Sequence, residues 1–139
     1  MVSGDFAQSY LDELLSSVPE HGIRHLDPDT AMSPGTMKAA LRSAGAGVLA
    51  TDMVIAGEIE NAFCAVRPPG HHAERGKAMG FWFVNNVAVA ARHALEVHGL
   101  ERVAIVDFDV HHGNGTQDLV EDDPRILFCS THQSPLYPG

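Results

Sequence analysis

The chain has 139 residues, of which 45% are hydrophobic and 19% are charged, and these proportions are typical of a folded globular protein. The formal net charge is 9 minus 18, or −9, with no long basic cluster, which argues against nucleic acid or an anionic membrane as a direct partner. No apolar stretch approaches the ~18 residues of a membrane-spanning helix, and the N-terminus lacks the pattern of a signal peptide, so a cytoplasmic location is expected.

The first half of the chain is predicted to be helical. Residues 6–18 carry apolar side chains at helical spacing and predict a short amphipathic helix. Ser33 and Pro34 are typical of a helix start, with serine as the N-cap and proline at the first helical position. A long, alanine-rich helix is expected from there towards Gly57.

Three short strands are predicted in the second half, over residues 62–66, 102–107 and 126–130. A helix over residues 87–97 separates the first two, and a shorter helix separates the last two. This alternation predicts an α/β domain with an open, mainly parallel sheet flanked by helices. Since nothing follows to cover the third strand, the sequence is expected to be part of a domain.

The cysteines and histidines indicate where chemistry is to be expected. Cys64 and Cys129 lie in apolar, strand-like runs, and we expect buried thiols of a cytosolic protein rather than a disulfide. Nine histidines are many for this length, and four of them form the adjacent pairs 71–72 and 111–112. Those two pairs are the candidates for a functional site.

The most informative motif follows the second predicted strand. It places Asp107, Asp109 and His111 two residues apart, and side chains with that spacing leave a strand on one side. Ligands in open α/β sheets bind at the carboxyl edge of the strands, and carboxylate and imidazole are usual zinc ligands. Gly113, which offers no donor at the next such position, argues for a single metal ion. The alternative is that the acids simply cap a turn or the next helix.

A second motif, Arg-Pro-Pro-Gly-His-His-Ala over residues 67–73, follows the first predicted strand. The prolines stiffen the loop and Gly70 permits an unusual turn, so His71 and His72 are expected to project in different directions. Most isolated histidines are surface residues without a role. A pair beside a strand end favours acid–base chemistry instead.

Together these residues resemble the histone deacetylase superfamily of zinc-dependent amidohydrolases. The resemblance rests on the blocks over residues 67–74, 80–92 and 106–118, with further matches at 121–124 and 137–139, and it covers nearly the whole chain. It implies the arginase/deacetylase-like fold. Asn114, where class I members have Asp, is similar to the class II branch and its bacterial relatives.

The resemblance implies a division of roles within the site. Asp109 and His111 would be two of three zinc ligands. His72 would be the general base, with Asn114 behind it, and His71, paired with Asp107, would be an electrostatic partner or proton donor.

It also implies sites for potassium and for the substrate. One potassium ion would be held by Asp107, the Ser130 hydroxyl and backbone carbonyls that include that of Thr131. Phe81 and Tyr137 would form walls of the acyl-lysine channel, and Asp29 would hold the substrate backbone at the rim. The remaining implied potassium ligands are the carbonyls of Asp109 and His111 at the first site and of Val120, Asp123 and Ile126 at a second.

Simpler assignments stand beside these roles. Phe81 and Tyr137 could be core aromatics, and Asp107 could cap a helix. We attach no function to Trp82. The remaining histidines are assigned to structure or to the surface: His21, His25, His93, His98, His112 and His132.

The resemblance also implies that this chain is a partial domain. The family's third zinc ligand, the residue that polarises the substrate carbonyl and a glycine-rich loop lie downstream of residues 137–139, and the usual N-terminal strand is missing too. Residues 1–139 would then be a truncated version, a gene fragment or one piece of a split protein whose second chain completes the fold. The expected function is zinc-dependent hydrolysis of acetyl-lysine peptides or small acetylated amines. The alternatives are an incompetent or structural piece of that fold and an acetylpolyamine amidohydrolase.

Overall fold

The computed structural model describes residues 8–139. In chain order it contains α1 (Gln8–Ser17), β1 (Arg24–His25), β2 (Ala31–Met32), α2 (Thr36–Ile55), α3 (Asn86–Glu96), β3 (Val103–Asp107), α4 (Asn114–Val120) and β4 (Ile126–Ser130). The alternation of helices with a parallel strand pair is the predicted α/β architecture. Within residues 8–139, no helix is both long enough and apolar enough to cross a bilayer.

The central sheet of the described chain consists of β3 and β4. These strands pair in parallel, from Val103 beside Ile126 to Asp107 beside Ser130. The strand predicted over residues 62–66 is wrong, because this segment forms no ladder with another described strand. A strand is stable only when its backbone groups find a partner, and its apolar composition alone did not supply one.

Helices α2 and α3 pack against one another beside this sheet, and the observed helix starts differ from the predicted ones. The predicted start of α2 at Pro34 is two residues early: Ser33 and Pro34 form a turn, in which the Thr36 N–H donates to the Ser33 carbonyl over 3.0 Å, and Gly35 is the N-cap. α1 begins at Gln8 among the described residues, and Phe6, which the prediction included, lies outside them.

Asn85 fixes the start of α3. Its side-chain oxygen accepts from the Ala88 N–H over 3.1 Å, which satisfies one of the unpaired donors of the first turn. Its amide also donates to the Thr116 hydroxyl over 3.0 Å, which joins α3 to α4. Both side chains are completely buried, so this polar link lies inside the core. The apolar core around it comprises mainly Tyr10, Leu14, Met32, Phe83, Val84, Val89, Leu95, Ile105, Leu119 and Val120.

One side of the sheet is open to solvent. Val106 and Leu127, on β3 and β4, are 66% and 62% exposed, and Phe108 just after β3 is 86% exposed. The prediction of buried thiols is wrong, because both cysteines are exposed and free. Cys129 lies on this open side of the sheet, and Cys64 lies in residues 62–66, which form no strand ladder.

Candidate active site

The histidine loop is clamped to the first turn of α3. The side-chain amide of Asn86 donates to the carbonyls of Pro68 and Pro69 over 3.0 and 2.9 Å. Proline cannot donate a backbone hydrogen bond, so carbonyl acceptors are the polar groups by which this segment can be held. The clamp places the next residues, His71 and His72, in the interior.

His71 is paired with the last residue of β3. Its Nδ1 lies 2.9 Å from Asp107 Oδ2, and both side chains are nearly buried. Because a carboxylate only accepts hydrogen bonds, His71 Nδ1 must carry the proton. The backbone supports the pair, since the Thr131 N–H donates to the Asp107 carbonyl over 3.0 Å.

His72 faces a neutral partner at the start of α4. Its Nδ1 lies 2.7 Å from Asn114 Oδ1, while Asn114 Nδ2 donates to Glu74 Oε1 over 2.7 Å. Glu74 fixes the orientation of the amide, so the oxygen faces the ring and His72 Nδ1 is the donor. In the neutral imidazole, Nε2 then carries the free lone pair.

The two histidines differ in their surroundings. Burial lowers the pKa of His72 below its usual value, and the hydrogen bond to Asn114 only partly opposes this shift. His72 is 3% exposed, and its ring centroid lies 4.1 Å from that of His71. A buried, neutral imidazole with a lone pair on Nε2 is suited to accept a proton at neutral pH.

Asp109 and His111 lie beyond the end of β3, in the loop that leads to α4. The strand alternation invoked from the sequence therefore does not apply to them, because β3 ends at Asp107. A local turn brings them together instead: Asp109 Oδ1 accepts from the His111 N–H over 2.8 Å and lies 3.2 Å from His111 Nδ1. Burial alone would raise the pKa of Asp109, but the hydrogen bond from His111 and the field of His71 outweigh it and lower the pKa.

A glycine is required where this loop passes the buried pair. A Cβ at Gly113 would lie 2.3 Å from Asp107 Oδ2 and 3.3 Å from His71 Nδ1. Any larger residue would displace the carboxylate from the imidazole. From the sequence, Gly113 was expected only to offer no metal donor; its steric role was not predicted.

Aromatic side chains surround the two histidines. The Tyr137 ring is perpendicular to that of His72 at 5.0 Å, and Trp82 lies 4.5 Å from His71. Phe81 is 61% exposed and has a φ of 74°. This conformation is uncommon for a bulky residue, and such conformations cluster at functional sites. The bland alternative of core aromatics fits neither Phe81 nor Tyr137, which is 38% exposed.

The other candidate residues lie nearby but make different contacts. Ser130 Oγ lies 2.8 Å from His132 Nδ1, and Thr131 is exposed. Asp29 is exposed in a turn in which its N–H donates to Asp27 Oδ1, and burial together with the charges of Asp27 and Asp29 raises the pKa of Tyr137. Asp29 is thus close enough to Tyr137 to influence it electrostatically.

Two residues of this site received no role from the sequence. Glu74 orients Asn114, and Trp82 covers the face of His71. Glu74 stood at the end of the block over residues 67–74, so its position in the motif was a usable signal. For Trp82 the sequence offered no such signal, because an aromatic residue before a helix usually belongs to the core.

Comparisons with known proteins agree with the resemblance seen in the sequence, and the family match covers the whole described region. A family model described as "Histone deacetylase domain" matches residues 6–139. A "Probable deacetylase" of Archaeoglobus fulgidus is 47% identical over 82% of this chain and 32% of its own length. The human "Polyamine deacetylase HDAC10" is 51% identical over 72% of this chain and 15% of its own.

A solved structure, the HD domain of HDA15, superposes with a TM-score of 0.90 at 36% identity, covering 96% of this chain and 39% of that one. The predicted fold is thereby confirmed. The chain spans less than half the length of the curated relatives it matches.

Proposed function

Because this chain belongs to the histone deacetylase family, we propose that it supplies part of the active site of a zinc-dependent hydrolase that cleaves acetyl amide bonds. The observation that carries the proposal is the pair of buried imidazoles held by different partners, His71 by the carboxylate of Asp107 and His72 by the amide of Asn114. Amide hydrolysis needs a group that accepts a proton from water and one that delivers a proton to the leaving amine.

The donor set at Asp109 and His111 fits zinc. Carboxylate and imidazole are ordinary zinc ligands, and ligand atoms of one tetrahedral ion at bond lengths of ~2.0–2.1 Å are roughly 3.3 Å apart. Asp109 Oδ1 and His111 Nδ1 are 3.2 Å apart. Asp109 and His111 would hold the zinc ion, and when bound it would supply Lewis acidity to polarise a carbonyl and to make a water molecule a stronger acid. The third protein ligand of the family pattern would come from outside residues 8–139.

The protein's own groups then divide the proton transfers. His72 Nε2 accepts a proton from the attacking water, while Nδ1 donates to Asn114 and keeps the ring in place. His71, with its Nδ1 proton held by Asp107, is the electrostatic partner or proton donor: as an imidazolium it would give its Nε2 proton to the leaving amine, and the proton that His72 took from the water would replace it. Burial of both rings excludes bulk water, which strengthens these interactions.

The surroundings favour a long, cationic acyl-amine. Phe81 and Tyr137 offer apolar walls for an alkyl stem, and Asp29 offers a carboxylate at the rim. Potassium beside the zinc, held by Asp107, Ser130 and Thr131, belongs to the same proposal. The net charge of −9 suits either an acetyl-lysine peptide or an acetylated polyamine.

Acetylpolyamine is the second candidate substrate. The observation in its favour is the 51% identity to a relative named as a polyamine deacetylase. A chain that folds but does not catalyse the reaction is the remaining alternative.

We propose a cytoplasmic location. We also propose that residues 1–139 are a portion of the catalytic domain that another segment or chain completes.

The test is to join the chain to the segment that follows the matched region in the Archaeoglobus relative, and to assay both versions with zinc. We expect no detectable deacetylation from residues 1–139 alone and clear hydrolysis from the joined protein. Acetyl-lysine peptide and monoacetylated polyamine are compared as substrates, and His112→Ala serves as a matched control for His72→Ala. A folded, zinc-loaded joined protein that is inactive on both substrates would refute the proposal.

A further inference from the structure

A second group of metal-binding side chains lies away from the active site. Asp52 Oδ1, on α2, is 2.5 Å from His93 Nε2 and 2.6 Å from His98 Nε2. The two imidazole rings are 5.1 Å apart and nearly perpendicular. Among residues 8–139, this is a group of three potential ligands whose donor atoms all lie within 4.8 Å of one another.

The close packing of α2 on α3 brings these residues together. A Cβ at Gly47 would lie 3.3 Å from Ala90 Cβ, so the helices approach closely there. Asp52 and His93 lie about one turn further along their helices, on the same side of the contact. His98 follows the end of α3, where the chain turns back and the Leu100 N–H donates to the Ala94 carbonyl over 3.2 Å.

The group is separate from the proposed catalytic residues. His98 lies before the start of β3 at Val103, whereas Asp107 and the residues of the active site follow its end. The two sites share no residue, and β3 separates His98 from Asp107 and the residues after it along the chain. No contact described for the active site involves Asp52 or His93.

We propose that Asp52, His93 and His98 form a binding site for a divalent transition metal of the zinc type, which joins α2 to the end of α3. Two imidazoles and one carboxylate are a common ligand set for Zn²⁺ and Ni²⁺. They leave a further position for water, because no fourth protein ligand is present among the described residues.

The existing geometry needs only a small opening to hold an ion. Ligand atoms around tetrahedral zinc are roughly 3.3 Å apart, so each N···O separation would increase by about 0.7–0.8 Å. The side chain of Asp52 is 44% exposed and those of the histidines are 19% and 23% exposed, so they can move and an ion can reach them. Hydrogen bonds from His93 and His98 lower the pKa of Asp52, which favours the carboxylate form that a metal ion binds.

The arrangement differs from an ordinary surface ion pair. Both imidazoles direct the same atom, Nε2, at one oxygen, which leaves Asp52 Oδ2 without a described contact in this group. Two ring nitrogens of different residues converge on one point between two elements. Because a carboxylate only accepts hydrogen bonds, each Nε2 carries the proton in this arrangement. An ion at that point would bind the tautomers that carry the proton on Nδ1, so that both Nε2 lone pairs and the carboxylate coordinate it and crosslink the elements.

The test uses the full chain carrying Asp109→Ala and His111→Ala, which removes the first metal site. Zinc stoichiometry and affinity are measured by competition with a chromophoric chelator, and thermal unfolding is followed with and without Zn²⁺. We expect one zinc per chain and a rise in Tm on adding Zn²⁺. Adding His93→Gln and His98→Gln should lower the affinity by more than the ~10- to 100-fold typical of losing a residue behind a ligand.

The matched control carries His21→Gln and His25→Gln, two exposed histidines that lie just before β1 and within it, and should bind zinc as the parent does. Asp52→Asn keeps the size of the side chain and tests the carboxylate without a cavity. Circular dichroism verifies that each variant is folded. Unchanged zinc stoichiometry after the His93 and His98 substitutions would overturn the proposal, and so would a Zn²⁺-dependent rise in Tm that survives them.

Discussion

Replacing Asn85 with alanine should be among the most destabilising single polar substitutions in the chain. The Asn85 side chain caps α3 through the Ala88 N–H and donates to the Thr116 hydroxyl, and it also lies 3.5 Å from the Ala73 carbonyl, next to His72. It therefore connects α3, α4 and the histidine loop.

The magnitude follows from two contributions. Loss of an N-cap typically costs about 1 kcal/mol of folding free energy. Leaving the buried hydroxyl of Thr116 without its donor costs about 1–3 kcal/mol more. Asn85→Ala should thus lower the free energy of unfolding by about 2–4 kcal/mol, and the midpoint of urea unfolding by about 1–2 M at an m-value of about 2 kcal/mol/M, the middle of the range for small proteins.

The assay is urea unfolding followed by fluorescence of Trp82, the single tryptophan of the chain. Asn85→Ser is the matched variant, since serine caps about as well as asparagine but does not replace the amide donor in kind. Its midpoint should lie between those of Asn85→Ala and the parent. A midpoint for Asn85→Ala that stays close to the parent's would refute the idea that this side chain joins the elements.

Three further predictions concern chemistry and pH. In the joined protein, His72→Ala should lower kcat by at least ~100-fold with little change in KM, because general-base help is typically worth that much; His71→Ala should cost less, and the reverse order would exchange their roles. With His93→Gln and His98→Gln in place, Asp109→Ala or His111→Ala should abolish zinc binding to the chain and His112→Ala should not, as measured by equilibrium dialysis; a sub-nanomolar Kd in the protein that carries only His93→Gln and His98→Gln would contradict a site with two protein ligands. Hydrogen bonds from Arg125 hold the pKa of Asp123 well below its usual value, and Arg92 adds to this effect. The stabilisation by Asp123 is therefore present above pH ~4, the pKa of an aspartate in the unfolded chain, and is lost as the pH falls below that value. The difference in unfolding free energy between the parent and Asp123→Asn should shrink between pH 7 and pH 3. A constant difference would count against this role of Asp123.

The sequence predicted the helices and the parallel strand pair because each has a regular apolar period. Its errors lie where structure depends on a partner. Residues 62–66 have the composition of a strand but no ladder among the described residues, and Cys64 and Cys129 are exposed because burial requires a covering element. Local composition reports propensity, whereas pairing and covering are tertiary properties.

The candidate site shows the same division. The residues of the two histidine motifs were identified from spacing and family resemblance, and their roles stay predictions. How Asp109 meets His111 was not predictable from strand alternation, because β3 ends before them and a turn makes the contact. The group formed by Asp52, His93 and His98 was missed entirely, since Asp52 is 41 and 46 residues away from the two histidines and meets them only when α2 packs on α3.

The open side of the β3–β4 pair has a practical consequence for anyone who handles this protein. Val106, Leu127 and Phe108 expose apolar surface beside strand edges whose backbone groups can accept another strand. At high concentration, copies of the chain should therefore associate through these strand edges and the apolar face beside them, unless another segment covers that face. Light scattering should increase with concentration, and a charged residue in place of Val106 should delay the onset of aggregation.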